Sequence, residues 1–78
     1  MKVYIVSSFD NDEHTLELYP YDTLEKATKK VTELETEFVD TIKLKHDDVK
    51  AEYYYTSAYI WNGEYYEYEI DIHEAEVE

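Results

Sequence analysis

The chain has 78 residues, with 20 Asp and Glu against 7 Lys and no Arg, for a formal net charge of −13. It has no Cys, so neither a disulfide nor a thiolate metal site can staple a domain this small. No apolar run approaches the roughly 18 residues that span a bilayer, and an acidic chain without Arg repels phosphate.

The opening MKVYIVSSFDNDE lacks the apolar core and small-residue cleavage site of a signal peptide. High charge suits disorder, but disordered chains are poor in aromatics, and this one is 17% aromatic with ten Tyr. Composition therefore predicts one folded cytoplasmic domain over residues 1–78, with no membrane contact and no direct nucleic-acid contact.

Residues 2–9, KVYIVSSF, predict a strand that is apolar on both faces until its serines, which suits a strand with neighbours on both sides. DNDEH (10–14) reads as a polar turn. Residues 14–20 predict a second strand, with Leu16 and Leu18 facing one way and Thr15, Glu17 and Tyr19 the other. Pro20 ends it or marks an edge. The two runs are close enough to form a hairpin.

Asp22-Thr23-Leu24-Glu25 has the pattern of a capping box shifted onto Asp22, with Glu25 reaching back. Leu24, Ala27, Val31, Leu34, Phe38 and Ile42 then recur at spacings of three and four. That predicts an amphipathic helix over roughly 23–40 with one buried stripe. Its charges oppose the helix dipole: Lys26, Lys29 and Lys30 come early, and Glu33, Glu35, Glu37 and Asp40 late. The cost is about 1 kcal/mol, so packing must hold the helix. Residues 41–48 read as a loop or frayed helix end.

Asn62-Gly63 lies between two Tyr-rich runs and predicts a type I′ hairpin turn, pairing Trp61 with Glu64. Counting outward puts Val49, Ala51, Tyr53, Tyr55, Ser57, Tyr59 and Trp61 on the core face, with Tyr66, Tyr68, Ile70 and Ile72. The other face carries Glu52, Tyr54, Thr56, Ala58 and Ile60, with Tyr65, Glu67, Glu69, Asp71 and His73. The expected fold is α+β: a four-stranded, mainly antiparallel sheet with one helix packed on one face, β-β-α-β-β. One helix covers one face, and the acidic face stays open.

Little in the sequence predicts catalysis, and no catalytic residue is assigned. Carboxylates are so many that a pair at acid–base spacing carries no information, and a working acid needs burial or a close partner to raise its pKa. His14, His46 and His73 are far apart, and Ser7 and Ser8 lack a nucleophile-elbow context. With one Gly there is no phosphate-cradling loop. A calcium loop starting at Asp10 needs Gly sixth and Glu twelfth, and those places hold Thr15 and Tyr21. Neither His46-Asp47-Asp48 nor His73-Glu74 has the ligand count of a zinc site. No metal and no cofactor is expected.

The acidic surface is the feature that points to a function. Residues 1–50 hold seven Lys against twelve acids, and residues 51–78 hold eight acids and no Lys. Glu67, Glu69 and Asp71 alternate along one strand, followed by Glu74, Glu76 and Glu78. Residues two apart on a strand point the same way, roughly 6.6–6.8 Å apart. Phosphates along a nucleic-acid strand, with an axial rise of about 3.4 Å, repeat on a similar scale. Tyr54 and Tyr65 supply contact area between the charges. Solubility alone asks for a net charge of about 2–8 in magnitude, and the excess self-repels.

In size, charge and pattern the whole chain resembles the small acidic inhibitors of bacteriophages and mobile elements. These include DNA-mimic anti-restriction proteins, anti-CRISPR proteins and inhibitors of uracil-DNA glycosylase. MKVYIVSSF followed by YDTLEKATKKV is similar to the β-β-α opening of many small phage and bacterial proteins. The first resemblance implies a non-enzymatic inhibitor that binds a basic nucleic-acid-binding protein, such as a bacterial defence nuclease. The resemblance carries over no residues; the acidic strand face supplies the expected binding residues Glu52, Tyr54, Glu64, Tyr65, Glu67, Glu69, Asp71, Glu74 and Glu76. Glu33, Glu35, Glu37 and Asp40 on the helix would extend the footprint. The alternative is a small assembly module that self-associates, as a homodimer for instance, through its Tyr-rich strands.

Overall fold

The computed structural model describes residues 1–45, 47–54, 56–62 and 67–77. Within them the elements run β1 (Lys2–Asp10), β2 (Thr15–Tyr21), α1 (Leu24–Lys43), β3 (Lys50–Tyr53), β4 (Ser57–Trp61) and β5 (Glu67–Glu76). The strands form one sheet in the order β2-β1-β5-β4-β3, with every neighbouring pair antiparallel. The α+β class and the single helix on one face agree with the sequence reading, but the sheet has five strands instead of four.

The N-terminal hairpin forms as expected. Asp10 Oδ1 accepts from the backbone N–H groups of Asp12 (2.9 Å) and Glu13 (3.2 Å), which turns the chain. His14 closes the turn at φ 56°, the left-handed region. Pro20 lies within the edge strand, opposite Ile5, where its missing N–H costs no ladder bond on the solvent side.

The helix is capped one residue later than the sequence suggested. Thr23 is the N-cap, and its Oγ1 accepts from the Lys26 N–H at 3.2 Å. Asp22 instead pairs with the Lys26 ammonium at 2.9 Å. The helix also runs beyond residue 40 to Lys43, because Ile42 continues the apolar stripe and is fully buried. That extension places a cation in the last turn, which softens the dipole mismatch. Thr28, Thr32, Thr36 and Thr41 turn their hydroxyls back onto helix carbonyls three or four residues earlier, so these four hydroxyls are satisfied within the helix.

The core lies between α1 and one face of the sheet. Ala27, Val31, Leu34 and Ile42 of the helix meet Val6, Ala58, Ile60, Tyr68 and Ile70 of the strands, all buried. Phe38 stacks on Tyr68, with ring centroids 4.1 Å apart and planes at 2°.

The C-terminal half departs from the expected single hairpin. The run 49–61 is broken into β3 and β4, with Tyr53 opposite Ala58 and the Tyr54 N–H donating to the Ser57 carbonyl at 2.8 Å. Trp61 then pairs with Glu67, not Glu64. Asn62 lacks the positive φ of a type I′ turn, since His14 alone has one among the described non-glycine residues. Its side-chain amide donates instead to the Asp48 carbonyl. The expected positions of Tyr55, Gly63, Glu64, Tyr65 and Tyr66, like those of His46 and Glu78, lie outside the described residues.

The register change inverts β4. Ala58 and Ile60, expected outside, are buried under the helix opposite Ile70 and Tyr68. Tyr59 and Trp61, expected inside, point to the open face. Aliphatic side chains have no polar atom to satisfy, while Tyr59 keeps a hydrogen-bond partner for its hydroxyl by facing out.

Candidate partner-binding face

The helix leaves the second face of the sheet uncovered. Antiparallel register arranges its side chains in rows that cross the strands. One row runs Leu16 (β2), Phe9 (β1), Glu69 (β5), Tyr59 (β4) and Glu52 (β3). The next runs Leu18, Ser7, Asp71 and Ser57. On one flank lies the row Glu67, Trp61 and Lys50, and on the other Pro20, Ile5 and His73. Read along the strands, the face has three zones. β2 and β1 are apolar, β5 at the centre is acidic, and β4 is aromatic.

The acidic residues Glu67, Glu69 and Asp71 are thus on one face, as expected, and on the middle strand of the sheet. Glu69 is exposed. Asp71 is half-buried between Ser7 and Ser57, whose small side chains leave a dip between bulkier rows. Glu67 accepts a hydrogen bond from the Tyr59 hydroxyl, and the Tyr59 ring leans on Trp61 at 4.8 Å between centroids. That bond, with burial adding to it, pushes the Tyr59 phenol up to about 12. Just after β3, Tyr54 donates to Glu52 at 2.8 Å, which raises the Tyr54 phenol.

The ion pairs formed among the described residues are all elsewhere. Lys2 pairs with Glu74 at 2.9 Å, Lys26 with Asp22, and the terminal amine of Met1 with Glu76 at 3.2 Å. The carboxylates of Glu67, Glu69 and Asp71 therefore meet no described cation at contact distance.

Several expected site residues are not brought to this face. Glu74 and Glu76 follow the parity of Ile70 and Ile72, point to the helix side of the sheet and are paired as above. Glu33, Glu35, Glu37 and Asp40 ride on α1, which is packed on the opposite side of the sheet. A flat partner touching β5 cannot reach them, so they do not extend that footprint. Burial against the sheet raises the Glu35 carboxyl. Glu64 and Tyr65 lie outside the described residues.

Two contacts were invisible in the sequence. Ser7 Oγ and His73 Nε2 share a hydrogen bond of 3.0 Å, although 66 residues separate them. The pair sits on the exposed face, where it fixes the imidazole over β1. On the helix side, Ser8, Asp10, Glu13, Thr15, Glu17, Glu37 and Phe38 line a cleft of ≈ 170 Å³. Its carboxylates are partly engaged. Asp10 holds the turn, and Glu17 accepts from Tyr19, which pushes that phenol up to about 12. Among the described residues no group of His, Asp and Glu is arranged to hold a metal ion, and no helix is long and apolar enough to cross a membrane.

Comparison with known proteins returns no match to a family model, to a curated protein or to a solved structure. The functional reading therefore rests on the chemistry of the face.

Proposed function

We propose that this chain is a non-enzymatic, protein-binding inhibitor. Its acidic face occupies the nucleic-acid site of a basic partner, in the manner of a phosphate backbone. The observation that supports this most is the row Glu67, Glu69 and Asp71 on the central strand of the uncovered face, without a described cation to neutralise it. Such a row costs stability through like-charge repulsion unless something compensates it. A basic partner does so: its Lys and Arg pair with the carboxylates, and long-range attraction speeds the encounter. The setting in this reading is the bacterial cytoplasm, with a defence nuclease as the type of target.

The test is capture from bacterial lysate at low and high salt, beside the double variant Glu69→Gln/Asp71→Asn. These two are chosen because Glu67 also supports Tyr59. The expected result is a nucleic-acid-binding protein that is lost at high salt and with the variant. Its DNA or RNA binding is then competed by the wild-type domain. Capture that is indifferent to both salt and variant removes the reading.

Self-association is the second reading. It is favoured by the edge strand β3, at whose end Tyr53 and the following Tyr54 are 57% and 62% exposed. A sedimentation mass that rises with concentration, and falls when Tyr53 and Tyr54 are replaced by Ser, selects it.

A further inference from the structure

The uncovered face is not only acidic. Leu16 and Leu18, each 58% exposed, stand on the edge strand beside Phe9, Ile5 and Pro20, and this apolar strip runs parallel to the acidic strand. An apolar strip of this kind on a small protein marks a contact surface. Its occupant follows from the charge beside it. β5 is the middle strand, so two copies stacked face to face in full overlap about a two-fold axis would lay β5 over β5. Glu69 and Asp71 of each copy would then lose water against the same carboxylates of the other, an arrangement that burial makes costly. A cationic occupant replaces that repulsion with attraction, which offsets the loss of water.

The spacing narrows the choice further. Adjacent strands are about 4.8 Å apart, so the leucines of β2 and the acids of β5 are separated by roughly 10 Å, across β1. An α-helix is about 10–12 Å wide. Laid over β1, it reaches Leu16 and Leu18 on one flank and Glu69 and Asp71 on the other, with the small Ser7 beneath it. Residues at i and i+4 of a helix are about 6 Å apart along its axis, close to the roughly 6.7 Å repeat of outward residues on β5.

We infer that this face receives an amphipathic basic helix of the partner protein, with Lys or Arg at i and i+4 over Glu69 and Asp71 and an aliphatic flank on Leu16, Leu18 and Phe9. The inference builds on the reading that the face binds a basic protein, and it adds a salt-insensitive, apolar half to the contact.

The experiment uses two synthetic helical peptides with the same Lys positions. One carries Leu along the flank adjacent to the lysines, and the other carries Gln there. Both are titrated into isotopically labelled protein followed by amide chemical shifts. The Leu peptide is expected to bind about tenfold more tightly or better, as the burial of a few methylene groups implies. The shifts should centre on Leu16, Leu18, Phe9, Glu69 and Asp71. Leu16→Ser/Leu18→Ser should erase the difference between peptides, and Glu69→Gln/Asp71→Asn should weaken both. Leu18→Lys is a second variant, which repels the peptide without removing side-chain length. Circular dichroism confirms that each variant is folded.

Equal affinity of the two peptides overturns the inference. So does a preference that survives the serine variant, or shifts confined to α1. A dimer that depends on Leu16 and Leu18 overturns it as well, by making a second copy the occupant. If the peptides behave as expected and the domain competes with no nucleic acid on its captured partner, the helix-binding face stands and the inhibitor reading falls.

Discussion

Phe38 of the helix and Tyr68 of the central strand stack almost in parallel, 4.1 Å between ring centroids. The contact ties the one helix to the strand on which the acidic face is built, from its opposite side. Phe38→Ala should therefore destabilise the fold by about 2–4 kcal/mol, as for loss of a large packed aromatic. Urea unfolding followed by circular dichroism measures it. Leu18→Ser, at an exposed site, should change stability by less than about 0.5 kcal/mol in the same assay. Equal effects would place the core elsewhere.

The acids of β5 should behave in the opposite way. Glu69→Gln and Asp71→Asn remove like-charge repulsion, so each should raise the unfolding free energy slightly, by about 0.3–1 kcal/mol at low salt. The gain should shrink at high ionic strength, because the Debye length falls to about 3 Å at 1 M. A loss of stability on neutralisation would mean that these carboxylates are paired in the folded protein.

Tyr19 and Tyr59 both donate to carboxylates, and both phenols are pushed from 10.0 up to about 12. A folded pKa above the unfolded one stabilises the fold fully below the unfolded value, and this stabilisation is lost as pH rises through the folded one. Their contribution should thus be intact below pH 10 and disappear between about 10 and 12. A phenolate absorbance titration should show Tyr19 and Tyr59 among the late-titrating groups. Tyr59→Phe and Tyr19→Phe should each remove one.

On the acid side two carboxyls pull in opposite directions. Burial raises Glu35 above its ordinary 4.5, so its stabilising effect is complete below that value and is lost as pH rises through the raised one. Lys26 lowers Asp22 below 3.8, so its stabilising effect holds above that value and is lost as pH falls through the lowered one. Melting temperature should accordingly rise on going from pH 7 to about 5, helped by relief of net charge, and fall again below about 4. A monotonic fall from neutrality would show that most acids are paired.

The sequence was legible where one element carried its own signal. The alternation of β1 and β2, the stripe from Leu24 to Ile42 and the outward row Glu67, Glu69 and Asp71 all appear as read. It misled where two segments had to agree on a register. Asn62-Gly63 is a strong local turn signal, yet tertiary packing overrode it. Moving the partner of Trp61 from Glu64 to Glu67 buries Ala58 and Ile60 beneath the helix. The turn between Tyr53 and Ala58 has no Gly or Pro to announce it. Ser7 and His73 could not be linked, because only the β1–β5 ladder brings them together. The separation of Glu74 and Glu76 from the row ahead of them was readable from parity alone, since an odd step along a strand changes face.

The middle strand of the sheet is the last one in the sequence. During synthesis, the hairpin β1–β2 and the helix emerge first and have no centre to assemble on. β1 must wait for β5, and the Met1 carbonyl finally accepts from the Val77 N–H at 2.7 Å. Such long-range closure slows folding and leaves one edge of β1 and one of β4 open meanwhile. Before β5 arrives, residues 1–66 already carry 14 acids against 7 Lys, and like-charge repulsion opposes contact between copies whose leucines and strand edges are still exposed.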